Sequence, residues 1–317
     1  MTITFRSYAK INLTLDVLGR RADGYHEVRT ILQSIALHDH ITLERIDGGI
    51  EVICPDRSIP TDERNIVYRA AALVRERADI AAGVRIHISK RIPVGAGLGG
   101  GSSNAAVTLL GLERIWNLSW SPEEWLDLGA TLGADVPFFF YGGAALGVGR
   151  GSEVYPLPDI RLDHLLIVWP MISVSTAEVY AALDGRWLTK SPPRSNITVS
   201  CETAWRAWGY PHRLLGQAIQ AGAGGNDLTE VVGARYPEVN RAMERLRQFR
   251  TRCIRMSGSG SAVYAVFATD EDLQEAAEAL SGEPWRIIQT RTIGRAEYWE
   301  TLIEKKGTQG AVAPRQR

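Results

Sequence analysis

From Ile3 onward the odd positions Ile3, Phe5, Ala9, Ile11, Leu13, Leu15 and Val17 are apolar, a period of two that predicts a strand with one buried face. Lys10 and Asn12 then share the opposite face. After the polar turn GRRADGYHE, the segments ITLERI and IEVIC flank Asp47-Gly48-Gly49 and predict a β-hairpin. In NIVYRAAALVRERA the spacing of Val67, Ala70, Ala71, Val74 and Ala78 becomes helical, with Asn65 placed as an N-cap. Val84, Ile86 and Ile88 next alternate with Arg85, His87 and Ser89, which predicts another strand. SSNAAVTLLGLERIW carries Ala106, Leu109, Leu110 and Leu112 on one helical side. Ser121, Pro122 and Glu124 form a capping box that opens the helix PEEWLDLGATL, which stops at Gly133. The apolar run FFFY that follows reads as a strand.

In the second half LLIVWPMI reads as a buried strand, STAEVYAAL as a short helix, and NDLTEVVGARYPEVNRAMERLRQF as one or two helices. CIRMSGSGSAVYAVFA predicts a strand, a glycine turn and a strand, DEDLQEAAEAL a helix, and WRIIQTRTI a last strand. Glycine and proline collect in GVGRGSEVYPLPD, which places a boundary between residues 1–155 and 156–305, followed by a frayed tail at 306–317. Residues 186–212 read as irregular, with Trp205 and Trp208 unexplained, and any substrate role for 185–225 stays open.

Thirty-six basic and thirty-six acidic residues among 317 cancel, which removes a global electrostatic case for nucleic acid or an anionic membrane as partner. An apolar content of 45% suits a packed fold. Cys54, Cys201 and Cys253 have neither disulfide-framework nor zinc spacing and read as reduced thiols. Arg6 and Lys10 interrupt the N-terminal apolar pattern, and no apolar run approaches a membrane span, so a soluble cytoplasmic protein is expected. Monomer and homodimer are both left open. His38, His40 and His87 lack carboxylates at metal-site spacing and read as structural.

The candidate chemistry centres on PVGAGLGGGSSNAA, residues 93–106. Gly95, Gly97 and Gly100 satisfy a G-x-G-x-x-G pattern, which raises an NAD-dependent oxidoreductase as one reading. A dinucleotide fold wants a doubly buried strand before the glycines, whereas the strand here alternates. A Walker A loop needs a lysine where Gly101-Ser102-Ser103 stands. The physical content remains: consecutive glycines let amides converge on an anion, the helix N-terminus adds its dipole, and Ser102 and Ser103 offer hydroxyls to a phosphate or to Mg²⁺. A plain tight turn is the bland alternative.

Pro93, Gly97, Leu98, Ser102, Ser103, Ala105 and Ala106 resemble the signature of the GHMP kinase superfamily, which includes galactokinase, homoserine kinase, mevalonate kinase and phosphomevalonate kinase. The form GLGGGSSNAA, with AKINLTL at 9–15, RADGYHE at 21–27, LGADVPFF at 132–139 and SGSGSAVYAVF at 257–267, is similar to the branch that phosphorylates 4-diphosphocytidyl-2-C-methyl-D-erythritol. The resemblance implies an α+β, two-domain GHMP kinase fold with mixed or antiparallel sheets, helices, and the active site in the cleft between domains. It also implies ATP carrying Mg²⁺ as the phosphoryl donor; no residue is assigned as a certain ligand of the ion, and Ser103 is the candidate contact. Asp135, which alone reads as a turn residue, becomes the base or hydroxyl orienter, and Lys10, otherwise a solvated lysine, its electrostatic partner. The resemblance assigns Pro93, Val94, Gly95, Ala96, Gly97, Leu98, Gly99, Gly100, Gly101, Ser102 and Ser103 to ATP, with Asn65 and Lys90 lining the adenine site. Asn65 serves equally well as a helix cap. Asn12, Tyr25, His26, Thr176 and Tyr180 are assigned to the substrate: Tyr25 stacks on cytosine and His26 reads its edge. The family commonly has proline after the threonine, where this chain has Ala177, and a glycine where it has Ala96. Rival readings are a superfamily kinase for homoserine or mevalonate and a catalytically dead ligand sensor.

Overall fold

A computed structural model describes residues 1–187 and 224–304. Cys201, Trp205, Trp208 and the expected tail at 306–317 lie outside the described residues, as does most of the irregular stretch. Two long strands organise the first half: β1 (Thr2–Arg20) and β2 (His26–Ile46) run antiparallel along their whole length. At 21 residues, β2 is long enough to serve two neighbours on its other edge. Its C-terminal half pairs with β4 (Gly83–Ser89) and its N-terminal half with β5 (Ala144–Gly149), and β5 pairs in turn with β6 (Glu153–Leu157).

The hairpin expected around Asp47-Gly48-Gly49 does not form. Strand β3 (Ile50–Ile53) pairs in parallel with β4, which lies between it and β2. Glycines make the insertion possible, since a Cβ on Gly83 would lie 2.4 Å from the Gly48 carbonyl carbon, and Val84 N–H donates to Gly49 O at 3.0 Å. The FFFY run is likewise not a strand. Pro137–Phe140 is a 3₁₀ turn with proline in its first position, and Phe138 and Phe139 are fully buried within it. A short apolar run carries no period with which to tell the two apart.

Helices α1 (Ile66–Arg77), α2 (Gly100–Ile115) and α3 (Pro122–Leu132) cover one face of this sheet. The capping box at Ser121 and Glu124 is present, and Asn65 caps α1 by accepting from Val67 N–H. The second sheet has the order β10 (Arg286–Thr290), β7 (Leu165–Trp169), β9 (Val263–Phe267), β8 (Thr251–Met256), all antiparallel. It packs on α4 (Thr176–Trp187), α5 (Thr229–Arg235), α6 (Pro237–Leu246) and α7 (Asp270–Leu280).

Between the sheets lies a third apolar cluster in which Ala9, Ile11 and Leu13 of β1 meet Leu165, Ile167, Tyr264 and Val266. Phe5 and Tyr8 belong instead to the helix-side core, and a register shift between Tyr8 and Ala9 accompanies the change of neighbours. The period of two in β1 thus records two different burials, and Lys10 and Asn12 are buried as well. The boundary expected at 155 falls inside β6, and residues 158–164 join the two sheets. After β10 the chain returns to the first half. Ile293 N–H donates to Ser34 O, Arg6 N–H donates to Leu302 O, and α8 (Arg295–Thr301) places the Tyr298 hydroxyl on Phe139 O at 2.7 Å.

Candidate active site

The glycine loop is held by its carbonyls. Gly95 O accepts from Val174 N–H, Ala96 O from Ala262 N–H, Gly97 O from the Ser257 hydroxyl and Leu98 O from Lys10 N–H, all within 3.2 Å. None of the N–H groups from Gly95 to Ser102 donates to another main-chain group among the described residues, so these donors are left for a ligand. Gly95, Gly97 and Gly99 take φ of 64°, 76° and 70°, and a Cβ on Gly97 would sit 2.1 Å from Ser257 O. Ala96 is not in the left-handed region, so its methyl is accommodated. Helix α2 begins with Gly99 as its N-cap and no side chain capping it, which leaves its dipole end to the same ligand.

The loop divides two cavities. One, of about 390 Å³, lies against Pro60, Asn65, Lys90 and Pro93; the other, of about 790 Å³, runs from Lys10 and Asp135 out to Tyr25 and Tyr180. Gly95, Gly97, Gly99 and Ser102 border both. Parallel-sheet dinucleotide geometry is absent here, because α2 leads into α3 and not into a strand parallel to β4.

Lys10 and Asp135, 125 positions apart in the sequence, meet beside the partition: Nζ lies 3.3 Å from Oδ2. The lysine side chain is 4% exposed and the aspartate 36%, so the cation is fixed and the carboxylate faces the cleft. Lys10 Nζ donates to Asn12 Oδ1 at 2.6 Å, Asn12 Nδ2 donates to the Thr30 hydroxyl at 2.7 Å, and that hydroxyl donates to Thr14 O. This chain of bonds sets which way the ammonium points. A Cβ on Gly258, in the turn between β8 and β9, would lie 3.3 Å from both Lys10 Nζ and Asn12 Oδ1, so the second sheet also closes over the pair.

At the outer end of the cleft, Tyr25 is 56% exposed, and the His26 ring stacks on Tyr180 with centroids 4.6 Å apart. His26 Nε2 is bonded to Asp184 at 2.7 Å, so that ring nitrogen is engaged with the protein instead of standing open for a base edge. Burial pushes the Tyr180 phenol up, with Asp135 and Asp227 acting in the same direction, which keeps it neutral. Thr176 shares a 2.7 Å hydrogen bond with Ser259. Asp184 was not singled out in the sequence, although it follows Thr176 and Tyr180 at intervals of four on α4.

In the smaller cavity Asn65 keeps its cap and also donates to Pro60 O at 2.6 Å, closing the loop that forms one wall. Lys90 is paired with Asp39, a fully buried carboxylate that also accepts from Arg91 N–H, Ile92 N–H and Asn104 Nδ2. Asp39 thereby anchors the approach to the glycine loop, a role that one acid in the alternating stretch ALHDHITL does not announce. Ser103 departs from expectation. It is fully buried and bonded to Ser7 at 2.7 Å, because the first turn of α2 directs it inward, and Ser102 borders both cavities in its place. Among the described residues no three His, Cys, Asp or Glu side chains are grouped to hold a metal ion, and no helix is long and apolar enough to cross a membrane.

Residues 65–143 match the GHMP kinases N terminal domain and residues 211–286 the GHMP kinases C terminal domain. A 4-diphosphocytidyl-2-C-methyl-D-erythritol kinase of Alkaliphilus metalliredigens is 43% identical over 280 residues, covering 88% of this chain and 92% of the relative. A crystal structure of 4-(cytidine 5′-diphospho)-2C-methyl-D-erythritol kinase superposes with a TM-score of 0.74 at 33% identity, over 92% of this chain and 99% of that one. Homoserine kinase from Cytophaga hutchinsonii shares the fold, with a TM-score of 0.67 at 17% identity over 92% and 95% of the two chains. The chain belongs to the GHMP kinases, within the family of 4-diphosphocytidyl-2-C-methyl-D-erythritol kinases.

Proposed function

We infer that this chain uses ATP to phosphorylate the 2-hydroxyl of 4-diphosphocytidyl-2-C-methyl-D-erythritol, a step of the non-mevalonate route to isoprenoid precursors. The observation that carries the mechanism is the placement of Lys10 and Asp135 beside a loop whose carbonyls at residues 95–98 are engaged by the surrounding protein while its amides are not. ATP lies with its base in the smaller cavity, between the Asn65 and Lys90 walls, and its triphosphate on the amides of residues 95–102. The cytidyl substrate fills the larger cleft, with its base at Tyr25, His26, Thr176 and Tyr180 and its hydroxyl at Asp135.

Asp135 accepts the hydroxyl proton as the oxygen attacks the γ-phosphorus, or orients that hydroxyl for attack. Lys10, held by Asn12, offsets negative charge on the oxygen passing between the two. The Ser102 hydroxyl is an oxygen donor of the kind Mg²⁺ takes and would help hold an ion carried by the nucleotide. Such an ion would supply neutralisation of the phosphate charge.

The test is an ADP-release assay with ATP, Mg²⁺ and the cytidyl substrate, run beside homoserine and mevalonate, with ³¹P NMR locating the new phosphate. ADP release with the cytidyl substrate alone and a new phosphomonoester at the 2-position is expected. Turnover of homoserine or mevalonate instead, or binding of a nicotinamide cofactor with no ADP release, would overturn the reading.

A further inference from the structure

The cleft holds a side chain that none of the readings above uses. Arg150 stands at the tip of the β5–β6 hairpin, between Gly149 and Gly151 at φ 69° and 95°, in a turn closed by Gly151 N–H donating to Val148 O. Its guanidinium carbon lies 4.2 Å from the centroid of the Tyr25 ring, covering one face. The same guanidinium donates to Asp23 Oδ2 from Nη2 at 2.9 Å and from Nε at 3.2 Å. Asp23 accepts from Tyr25 N–H with its other oxygen at 3.1 Å and from Arg21 Nε. The main chain and the ring of Tyr25 are therefore tied to one arginine from two directions.

We propose that Arg150 is a positioning residue for cytidine recognition, fixing the Tyr25 ring as a one-sided stacking platform for the base. The inference rests on the kinase reading above for the identity of the base. An exposed tyrosine on a turn would otherwise explore several rotamers, and the entropy of fixing it would be lost when ligand binds. With a cation on one face, that entropy is already lost in the free protein, and the ring presents its second face to the cleft that Tyr25, His26, Arg150 and Tyr180 line together. Lysine at this position has charge but no planar fork to meet Asp23 and the ring at once.

A double-mutant cycle tests this. Wild type, Arg150→Ala, Arg150→Lys, Tyr25→Ala and the Tyr25→Ala/Arg150→Ala double variant are titrated with cytidine 5′-diphosphate by calorimetry. Their KM for ATP and kcat are measured in parallel, and melting curves confirm folding. Arg150→Ala is expected to weaken cytidine diphosphate binding about five- to twentyfold while the KM for ATP moves less than about twofold. Arg150→Lys recovers part of the loss, and the double variant binds no worse than Tyr25→Ala alone. Unchanged binding in Arg150→Ala overturns the proposal. So does an equal loss in the Tyr25→Ala background, which would mean that Arg150 touches the ligand itself, and so does a wild type that binds no cytidine diphosphate. A wild type that binds cytidine diphosphate through Arg150 yet transfers no phosphate would sink the kinase reading and leave this proposal standing.

Discussion

Asp135→Ala removes the only carboxylate in ion-pair reach of Lys10 among the described residues, and leaves that ammonium facing the cleft with Asn12 as its partner. The kcat of this variant should fall about 10²- to 10⁴-fold, equivalent to roughly 3–5 kcal/mol of barrier, in the steady-state ADP assay. A near-normal rate would move the proton-handling role elsewhere. Tyr25→Ala should raise the KM for the cytidyl substrate and leave that for ATP unchanged, and the reverse pattern would mean that the two cavities are swapped. At this scale the sequence offered residue types without their surroundings. Read from its strand alone, Lys10 is a solvated lysine; in the fold it is buried beside Asp135, because two sheets pack around it. Asp39 and Asp184 went unnoticed because the partners that reveal them, Lys90 and His26, are 51 and 158 positions away.

Gly97→Ala should destabilise the loop by about 2–4 kcal/mol, since its methyl meets Ser257 O in a backbone conformation that L-residues rarely adopt. Thermal melting and the KM for ATP should both report it, whereas Ala96→Gly, at an ordinary φ, should cost less than about 1 kcal/mol. Asn65→Ala should cost about 1 kcal/mol in denaturant titrations through loss of the α1 cap. In the turn at residues 21–25, Arg150 is foremost in holding the Asp23 carboxyl down to about 2. A carboxylate lowered in this way contributes its full stabilisation above the ordinary range and loses it as pH falls toward that value. The Arg150–Asp23 contact should therefore stay intact between about pH 5 and pH 8, so the ratio of the KM values of wild type and Asp23→Asn for the cytidyl substrate should not change across that range in initial-rate measurements. Elements were legible where a period or a cap marked them, as in α1, α3 and the glycine loop. They were not legible where register decides. Nothing local in Ile50–Ile53 says that it pairs with β4 in place of β2, and the run at Phe138–Phe140 has no period to read.

On the scale of the whole molecule, alternation marks the individual strands and the resemblance implies the α+β fold with mixed or antiparallel sheets, but neither shows how one sheet packs on the other. Ala9, Ile11 and Leu13 look like any buried strand face until Tyr264 and Val266 are seen opposite them. The return of residues 292–304 to the first half was equally silent, since α8 is short and its partners, Tyr8 and Phe139 among them, lie far away along the chain. That packing is what lets both halves hold the glycine loop, Lys10 from one side and Val174, Ser257 and Ala262 from the other. The most direct test is a crystal structure with a non-hydrolysable ATP analogue and the cytidyl substrate bound together. A triphosphate is expected on the amides of residues 95–102, with the substrate hydroxyl about 3–3.5 Å from the γ-phosphorus and in hydrogen-bond reach of Asp135. A γ-phosphorus away from that loop, or a hydroxyl out of reach of Asp135, would contradict this mechanism.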